Sequence, residues 1–327
     1  MTLTYEVLVP AYQAEDSIAA AVASALAQRP APERVLVYSD GSTDRTAERA
    51  RAAGAEVIDE AENRGVGHAR QVLLGRSRAP WLLVLDSDDR LLPGAGRLFA
   101  EAVDAHPDAW VLGFGAVTDT AAAPSGAPAL GPARPVDLRG LWQRNPFISS
   151  SALIRRQPAV GVGGFPAVRR LVDYAFWLVL AGDPAARGRL WNRTTPVTAR
   201  AVHGGTITGN VVGAVQAERD LLVGHADAAL VGLPGPVRAV VTRGRLGVLW
   251  WRGLSRHLDY GRPASSYLPA GDVVPGVVLP GLLRVLALPS VQRTVRAAAR
   301  AARGGVRRHA GPGRTPVGRT PVVASEG

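Results

Sequence analysis

The sequence predicts an α/β fold in which a mainly parallel sheet is flanked by helices. Short apolar runs alternate with segments of helical periodicity through about the first hundred residues. The apolar runs are continuous and do not alternate with polar residues, which is typical of parallel strands covered on both faces. Polar clusters follow three of these runs, at the strand ends where ligands bind in such sheets.

The strands and helices of this first part are predicted from the apolar runs and from the polar, Gly and Pro residues that separate them. Strands are predicted at 7–10, 34–38, 56–58, 80–85 and 110–114. Helices are predicted at 16–28, from just after Asp44 to about 53, at 65–75 and at 93–105. Asp16 or Ser17 is expected to cap the first helix by accepting hydrogen bonds from its free N–H groups. Gly54 is expected to end the second helix.

The rest of the chain changes in character. The segment 120–135 is rich in Ala, Pro and Gly, as is typical of a flexible loop. Segments 211–230 and 238–258 have helical periodicity, whereas 291–308 is basic and rich in Ala. The last dozen or so residues are expected to be disordered. The sequence therefore predicts an α/β part followed by a mostly helical extension.

Composition excludes several classes of site. The 327 residues include no Cys, which excludes disulfides, thiolate catalysis and Cys-ligated metal centres. A P-loop needs a Gly-Lys pair, and every basic residue here is Arg. A dinucleotide dehydrogenase needs a Gly-rich turn after the first strand, where this chain has Pro10-Ala-Tyr-Gln. Neither a signal peptide nor an uninterrupted apolar span of about 18 residues is found, so a cytoplasmic protein is expected.

The net charge of +11 is concentrated near the end of the chain, where the segment from Gly281 onward has nine Arg and one acid. Basic amphipathic segments often lie on anionic membranes, so peripheral contact with the inner face of the membrane is one interpretation. A solvated charged tail is the other. Nucleic-acid binding is disfavoured, because the tail lacks aromatic residues for base stacking.

Three carboxylates are concentrated in Asp86-Ser87-Asp88-Asp89, directly after the fourth predicted strand. Such density is electrostatically costly unless a cation neutralises it, and hard divalent cations prefer carboxylate oxygen. The alternative is a strand-to-helix turn in which Asp side chains act as caps. The tetrapeptide alone does not decide between these readings. Residues 40–44 are likewise compatible with either a helix cap or a ligand contact. Arg70 is compatible with an ordinary surface position or with binding to a nucleotide base or a diphosphate.

Taken together, the motifs resemble the family 2 glycosyltransferases of the GT-A fold. The resemblance continues past the carboxylates through Gly163-Gly-Phe165 and Val172-Asp173, and ends near His203. It therefore extends over roughly two thirds of the chain. Four motifs occur in the order of that family: Val7-Leu-Val-Pro10-Ala-Tyr12, Ser39-Asp40-Gly-Ser-Thr-Asp44, Glu62-Asn-Arg-Gly65 with Ala69-Arg70, and Asp86-Ser-Asp88-Asp89.

The resemblance implies transfer of a sugar from a nucleoside-diphosphate sugar to an acceptor hydroxyl, with inversion and with Mg²⁺ or Mn²⁺. It implies that Asp173 is the general base. The metal site would comprise Asp88, Asp89 and His203, with His203 in the loop that closes over the diphosphate. The remaining residues implied for the nucleotide sugar are Pro10, Tyr12, Asp40, Arg70, Asp86 and Ser87.

Two positions depart from the family pattern. Ser39 replaces the first Asp of the frequent Asp-Asp-Gly-Ser motif, but Asp40, the residue assigned to the base, is present. Val172 replaces the Glu of the family's Glu-Asp pair. Asp173 is kept as the predicted base, because one correctly placed carboxylate is enough for proton transfer.

The resemblance divides the chain into a nucleotide-sugar part (1–117), an acceptor part (118–209), a helical extension (210–310) and a disordered tail (311–327). The expected acceptor is a saccharide, a lipid-linked molecule or a small natural product. Two alternatives stay open. One is a sugar nucleotidyltransferase, which would share the sheet. The other is an inactive GT-A domain that binds membrane or nucleic acid through its Arg-rich tail.

Overall fold

A computed structural model of the protein describes residues 3–119, 129–201 and 211–259. Nine strands form one sheet within these ranges. The first is longer than predicted at both ends, and the second extends through Asp40 instead of ending at Tyr38. The strands are β1 (Tyr5–Ala11), β2 (Val35–Asp40), β3 (Glu56–Glu60), β4 (Trp81–Val84), β5 (Arg90–Leu91), β6 (Val111–Thr118), β7 (Arg134–Pro135), β8 (Ala152–Arg155) and β9 (Leu190–Arg200).

The strand order is β3-β2-β1-β4-β8-β6-β9-β5, with β7 paired to β9. The first four strands are all parallel, as predicted. β8 then runs antiparallel to both of its neighbours, β4 and β6. β9 is parallel to β6 and antiparallel to β5 and β7. The α/β fold is confirmed. The parallel arrangement applies to the N-terminal half of the sheet, and the other half is mixed.

Helices cover the sheet and continue beyond it, close to the predicted positions. The predicted helical segment 211–230 forms two helices separated at His225, and the segment 238–258 lies within one helix, as predicted. Short 3-10 turns lie at Ser149–Ser151 and Pro184–Ala186. The helices are α1 (Ile18–Leu26), α2 (Thr46–Ala52), α3 (Val66–Arg76), α4 (Ala95–Ala105), α5 (Leu138–Gln143), α6 (Arg156–Gly161), α7 (Val172–Gly182), α8 (Val211–Gly224), α9 (Ala226–Ala229) and α10 (Gly235–Asp259).

The predicted cap of the first helix is wrong. Ser17 occupies the N-cap position of α1, but its side chain makes no capping hydrogen bond and donates to the carbonyl of Ala14 instead. Asp16 is exposed and lies 3.7 Å from Arg49. The prediction for Gly54 is confirmed, because this residue follows α2 with a φ of 99°. A positive φ of this kind favours glycine.

The main hydrophobic core lies between the sheet and the helices α1 and α4. Val7 and Val9 of β1 are fully buried there, together with Ile18 of α1 and Phe99 of α4. Phe99 packs edge-on against Phe114 of β6, with 5.3 Å between ring centroids. This packing holds β1 in position and so determines where the polar residues that follow the strand lie.

The chain divides into two compact units, Met1–Leu249 and Trp250–Gly327. The first contains the whole sheet and the helices α1 to α9. None of the described helices is long and apolar enough to cross a membrane. The basic segment 291–308 and the tail 311–327 lie outside the described residues, as does the segment 202–210 that contains His203.

Candidate functional site

The polar clusters that follow β1, β2 and β4 lie side by side at one edge of the sheet. Pro10 of β1 is opposite Tyr38 of β2 in the parallel register. On the other side of β1, the N–H of Leu85 donates to the carbonyl of Leu8 at 2.9 Å. Asp86 therefore begins its turn beside the end of β1. Tyr12 follows this strand and is 54% exposed, so its ring is open to a ligand.

Hydrogen bonds between side chains and backbone join the loop after β1 to the loop after β2. The backbone N–H of Gln13 donates to the Ser42 hydroxyl at 3.2 Å, and the backbone N–H of Thr43 donates to the side-chain Oε1 of Gln13 at 2.8 Å. Asp44 accepts from the N–H groups of Glu15 and Thr46. Desolvation raises the pKa of Asp44, but the hydrogen bonds with Thr46 and Glu15 together outweigh it and lower the pKa. Residues 42–44 thus hold the backbone of these two loops in place.

Asp40 holds the loop that precedes α3. Its two carboxylate oxygens accept the N–H groups of Arg64 and Gly65, both at 2.8 Å, and its carbonyl accepts the side-chain amide of Asn63. The Asp40 side chain is buried. Its predicted contact with a base therefore has to use the remaining lone pairs of a carboxylate that already binds two amides.

Arg70 makes an ion pair with Asp86, the first carboxylate of the 86–89 cluster. Its Nη2 donates to Asp86 Oδ1 at 2.8 Å, and the Arg70 side chain is only 7% exposed whereas Asp86 is 34% exposed. The Nε of Arg70 is buried and has no hydrogen-bond partner among the described residues. Arg70 thus fixes one face of Asp86 and leaves the other face accessible.

Ser150 organises the carboxylate turn, and sequence reasoning missed it. This buried residue comes from the 3-10 turn before β8, 64 positions along the chain from Asp86. Its Oγ accepts the N–H of Asp86 at 3.1 Å and is hydrogen-bonded to the Asp89 carboxylate. Its carbonyl accepts the Thr198 hydroxyl of β9 at 2.6 Å. The run of three serines at 149–151 gave no sign of which one would reach the turn.

Asp89 points into the protein, unlike its neighbours. It is 3% exposed, whereas Asp86, Ser87 and Asp88 are half-buried. Its Oδ1 accepts the N–H of Ala201 at 3.1 Å, and Arg200 lies 3.8 Å from Oδ2. Burial raises the pKa of Asp89 to about 6; the Ser150 hydrogen bond opposes this rise and the charges of Asp86 and Asp88 add to it. Asp89 therefore connects the carboxylate turn to the end of β9.

Replacing Ser150 with Ala is expected to reduce kcat/KM by about tenfold and to destabilise the fold by about 1–3 kcal/mol. The substitution leaves the N–H of Asp86 without its acceptor and removes one of the hydrogen bonds to the buried Asp89 carboxylate, which keeps that from Ala201. The matched control is Ser151→Ala. The Ser151 hydroxyl is equally buried but has no hydrogen-bond partner within the described parts of the chain. Steady-state kinetics and urea unfolding measure the two effects, and equal behaviour of the two variants would contradict the role given to Ser150.

Asp173 lies in the first turn of α7, and helix α3 connects this turn to the carboxylates. Gly67 of α3 approaches Val172 so closely that an added Cβ would lie 3.5 Å from its Cγ2. Arg70, one turn later on the same helix, holds Asp86. Val172, the position that departs from the expected Glu-Asp pair, is 2% exposed and lies beside Gly67. Asp173 is half-buried and has no hydrogen-bond partner among the described residues.

Gln71, the residue after Arg70, holds the Gly163-Gly-Phe165 turn. Its Oε1 accepts the N–H of Phe165 at 2.8 Å, and its Nε2 donates to the carbonyl of Gly163 at 3.2 Å. A Cβ on Gly164, whose φ is 81°, would lie 2.1 Å from Gln71 Oε1. The positive φ therefore favours glycine here, and an added Cβ would displace the Gln71 side chain from its hydrogen bonds. Sequence reasoning recognised the glycines only as part of a motif and missed Gln71.

The carboxylates fit a hard divalent cation that is shared with a ligand. Asp86 and Asp88 are half-buried at the strand end, but no group of three or more His, Asp or Glu that could hold a metal is found among the described residues. Mg²⁺ in particular is usually bound by one or two carboxylates plus substrate phosphates and water. The donor set therefore suits a cation that a phosphate-bearing ligand helps to hold. Asp89 is already engaged with Ala201, and His203 lies outside the described residues.

Comparison with known families identifies the class of protein. The sequence matches the model of glycosyl transferase family 2 over residues 6–171, half of the chain. The chain belongs to glycosyl transferase family 2. The matched region contains the four motifs at 7–12, 39–44, 62–70 and 86–89 of this family 2 chain and ends directly before Val172 and Asp173. The family resemblance of the motifs is thus confirmed.

Curated relatives cover only a part of this family 2 chain. Succinoglycan biosynthesis protein ExoU from Rhizobium meliloti (strain 1021) is 44% identical over 101 residues, which are 29% of this chain and 29% of ExoU. Succinoglycan biosynthesis protein ExoO from the same organism is 39% identical over 101 residues, 30% of this chain and 29% of ExoO. The chain thus aligns with less than a third of the length of either relative.

Solved structures resemble the fold over most of its length. The 1-349 fragment of TarS from S. aureus in complex with UDP has a TM-score of 0.56 at 19% identity, covering 92% of each chain. The mannosyltransferase PcManGT from Pyrobaculum calidifontis, in complex with GDP-Man and Mn²⁺, has a TM-score of 0.51 at 20% identity, covering 91% of this chain and 86% of PcManGT. These similarities confirm the predicted GT-A fold.

Proposed function

We propose that this protein transfers a sugar from a nucleoside-diphosphate sugar to an acceptor hydroxyl, with inversion at the anomeric carbon. The observation that supports this most is the position of helix α3. Arg70 on one turn of α3 holds the donor-side Asp86, and Gly67 on the preceding turn packs against Val172, next to Asp173. A carboxylate suited to bind phosphate through a cation and a carboxylate suited to accept a proton thus flank one helix.

The donor side is built from the strand ends. Pro10 and Tyr12 would line the nucleotide pocket, with Asp40 at the base and Asp86 and Ser87 near the ribose and diphosphate. Arg70 would support the pocket through its ion pair with Asp86. The complexes of TarS with UDP and with UDP-GlcNAc, and of PcManGT with GDP-Man, support a nucleotide-sugar donor. They do not select the sugar.

Asp88 is the residue proposed to hold a divalent cation, together with the accessible face of Asp86. Asp89 and His203 were predicted alongside it, and the hydrogen bond between Asp89 and Ala201 favours a supporting role for Asp89. When bound, Mg²⁺ or Mn²⁺ supplies positive charge opposite a leaving diphosphate. The Mn²⁺ in the PcManGT complex supports this choice of metal.

Asp173 is proposed to act as the general base on the acceptor side. The acceptor hydroxyl oxygen forms a bond to the anomeric carbon, and the bond from that carbon to the diphosphate oxygen breaks. The proton of the hydroxyl goes to a carboxylate oxygen of Asp173. This residue fits the role because its neighbour Val172 is anchored on α3 while the carboxylate has no partner among the described residues. Its distance from the donor carboxylates is thereby tied to α3.

Donor binding and acceptor binding are assigned to successive parts of the chain. Residues 1–117 would bind the donor, 118–209 the acceptor, and the helices from 210 would form an extension. The names of ExoU and ExoO, two succinoglycan biosynthesis proteins, support a growing glycan as acceptor over a nucleic acid or a protein. A lipid-linked saccharide or a small natural product has the same reacting hydroxyl.

A donor screen tests this function. The full chain is incubated with UDP-, GDP- and dTDP-sugars in the presence of Mn²⁺ or Mg²⁺, and the released nucleotide is identified by chromatography. We expect nucleoside diphosphate with one donor class and a loss of at least about tenfold when EDTA removes the cation. Release of pyrophosphate would instead indicate a nucleotidyltransferase. Neither turnover nor cation-dependent nucleotide binding with any donor would reject the proposal.

A further inference from the structure

Gln71 on the second turn of α3 reaches across to the turn that follows α6. Its Oε1 accepts the N–H of Phe165 at 2.8 Å, and its Nε2 donates to the carbonyl of Gly163 at 3.2 Å. One side-chain amide thus binds both ends of a three-residue turn that lies more than 90 positions later in the chain. Because an amide side chain both donates and accepts, this contact fixes the orientation of the turn as well as its distance from α3.

The loop 166–171 joins this turn to α7 and packs on the same helix. A Cβ added to Gly67 of α3 would lie 3.4 Å from the carbonyl oxygen of Val168 and 3.5 Å from that of Pro166. Leu171, the last residue of the loop, has a φ of 54°. This left-handed conformation is costly for a residue with a side chain and persists only where surrounding contacts impose it. The loop therefore lies against α3 and ends in a strained residue directly before α7.

Phe165 connects the turn to the buried face of α7. It is 7% exposed, and its ring stacks on that of Phe176 with 4.4 Å between the ring centroids. Phe176 follows Asp173 by three positions in α7, and residues at this spacing are neighbours on a helix surface. The position of the turn and that of Asp173 are therefore linked through two stacked rings.

Arg70 and Gln71 are neighbours on α3 but hold different sides of the site. Arg70 Nη2 donates to Asp86 Oδ1 at 2.8 Å, whereas Gln71 binds the turn that precedes α7. Consecutive residues on a helix project about 100° apart, so a single helix contacts two separate segments at the same level. The donor-side carboxylate and the acceptor-side loop are thus placed relative to each other by two adjacent residues.

We propose that Gln71 is a positioning residue that keeps Asp173 in its working place relative to the donor-side carboxylates. It acts through the 163–165 turn and the stacked rings. This inference rests on the proposed transferase function. A misplacement of about 1 Å at a reacting group lowers a rate by up to about 100-fold. A smaller effect is expected from the loss of Gln71, because the contact of Gly67 with the loop stays in place.

Replacing Gln71 with Met removes both hydrogen bonds and keeps the length of the side chain. The kcat for hydrolysis of the nucleotide sugar that the donor screen identifies, with water in place of the acceptor hydroxyl, should fall by about three- to tenfold. The Kd for that donor should stay within about twofold in calorimetric titration. Gln71→Glu keeps an oxygen for the N–H of Phe165 and loses the bond to Gly163, so its kcat should lie between those of the wild type and Gln71→Met.

The matched control is Gln216→Met on α8. Gln216 is an exposed helical glutamine with no hydrogen-bond partner among the described residues. Its replacement should leave kcat and Kd unchanged. Equal kcat values in Gln71→Met and Gln216→Met would overturn the proposal, as would a donor Kd that rises in Gln71→Met as much as kcat falls.

A second variant displaces the loop without changing Gln71. The methyl groups of Gly67→Val would press on the carbonyl groups of Pro166 and Val168, which are already within 3.5 Å of an added Cβ. We expect the same loss of kcat at an unchanged donor Kd. Gly75→Val on the same helix is the control, because no atom lies within 4 Å of its added Cβ. A normal kcat in Gly67→Val would contradict the link between the loop and Asp173.

Limited proteolysis tests the anchoring without any turnover. Trypsin cleaves after Arg, and Arg169 is exposed in the loop 166–171. Cleavage at this bond, identified by mass spectrometry, should be about three- to tenfold faster in Gln71→Met than in the wild type, because the loss of two hydrogen bonds raises the population of the open loop. If the wild type releases no nucleotide, the proposed function fails, whereas faster cleavage still supports the anchoring by Gln71. An unchanged cleavage rate overturns the positioning role whatever the activity.

Discussion

Replacing Asp173 with Asn is expected to lower kcat by about 100- to 10,000-fold while the Kd for the donor stays within about twofold. Asparagine keeps the size of the side chain but cannot accept a proton, and a positioned general base contributes rate factors of this order. Binding of the donor should be spared because Asp173, next to Val172 at the start of α7, is proposed to act on the acceptor. Single-turnover kinetics and calorimetric titration with the donor measure the two quantities.

Asp88→Asn provides the contrasting variant. It should raise the Kd for the donor by about tenfold or more in the presence of Mn²⁺, since a lost charged contact costs about 1.5–3 kcal/mol. Its effect should shrink when the cation is removed from both proteins. Weak donor binding in Asp173→Asn, together with normal binding in Asp88→Asn, would show that the two roles have been exchanged.

A matched control separates catalysis from helix stability. Asp173 is the acidic residue in the first turn of α7, and Asp227 holds the same position in α9. Asp227→Asn removes a first-turn carboxylate from the short helix α9, outside the candidate site, together with its contact to Arg238, at a cost of up to about 1 kcal/mol. It should leave kcat unchanged. An equal loss of kcat in both variants would attribute the effect of Asp173→Asn to the fold.

Gly41→Ala is expected to lower the free energy of unfolding by about 3 kcal/mol or more. Gly41 has a φ of 69°, and an added Cβ would lie 2.4 Å from the amide nitrogen of Asn63 and 2.7 Å from the carbonyl carbon of Glu62. These are backbone atoms of the loop that Asp40 binds, so they cannot rotate away. The left-handed conformation costs about 1–2 kcal/mol for alanine, and the overlap adds a cost of similar size.

Gly188→Ala is the control for the conformational part of this effect. Gly188 has a φ of 73° with no atom within 4 Å of an added Cβ. It should therefore lose only about 1–2 kcal/mol in urea unfolding. Donor affinity should fall in Gly41→Ala and not in Gly188→Ala, because only the first displaces the loop before α3. Equal losses of stability in the two variants would mean that the loop before α3 moves aside for the added methyl group without a measurable cost.

The sequence determined the α/β order, the polar strand ends and the family. Continuous apolar runs and helical periodicity are local properties, so the strands β1, β2 and β4 were predicted close to their observed positions. The ends of parallel strands necessarily meet at one edge of a sheet, which is why residues as distant as Asp40 and Asp86 were predicted to share a site. The order of the motifs then indicated which ligand that edge binds.

Only the tertiary structure decided what each side chain in the cluster does. Asp88 and Asp89 are adjacent carboxylates in the sequence, but Asp89 turns inward to Ser150 and Ala201. That choice depends on β8 entering the sheet antiparallel to β4, and no local pattern encodes the register of strands so far apart along the chain. Val172 likewise stands where an acid was expected, and only the structure shows that this residue lies beside α3. Identity and order of residues are local information, whereas burial and pairing arise from contacts between distant segments.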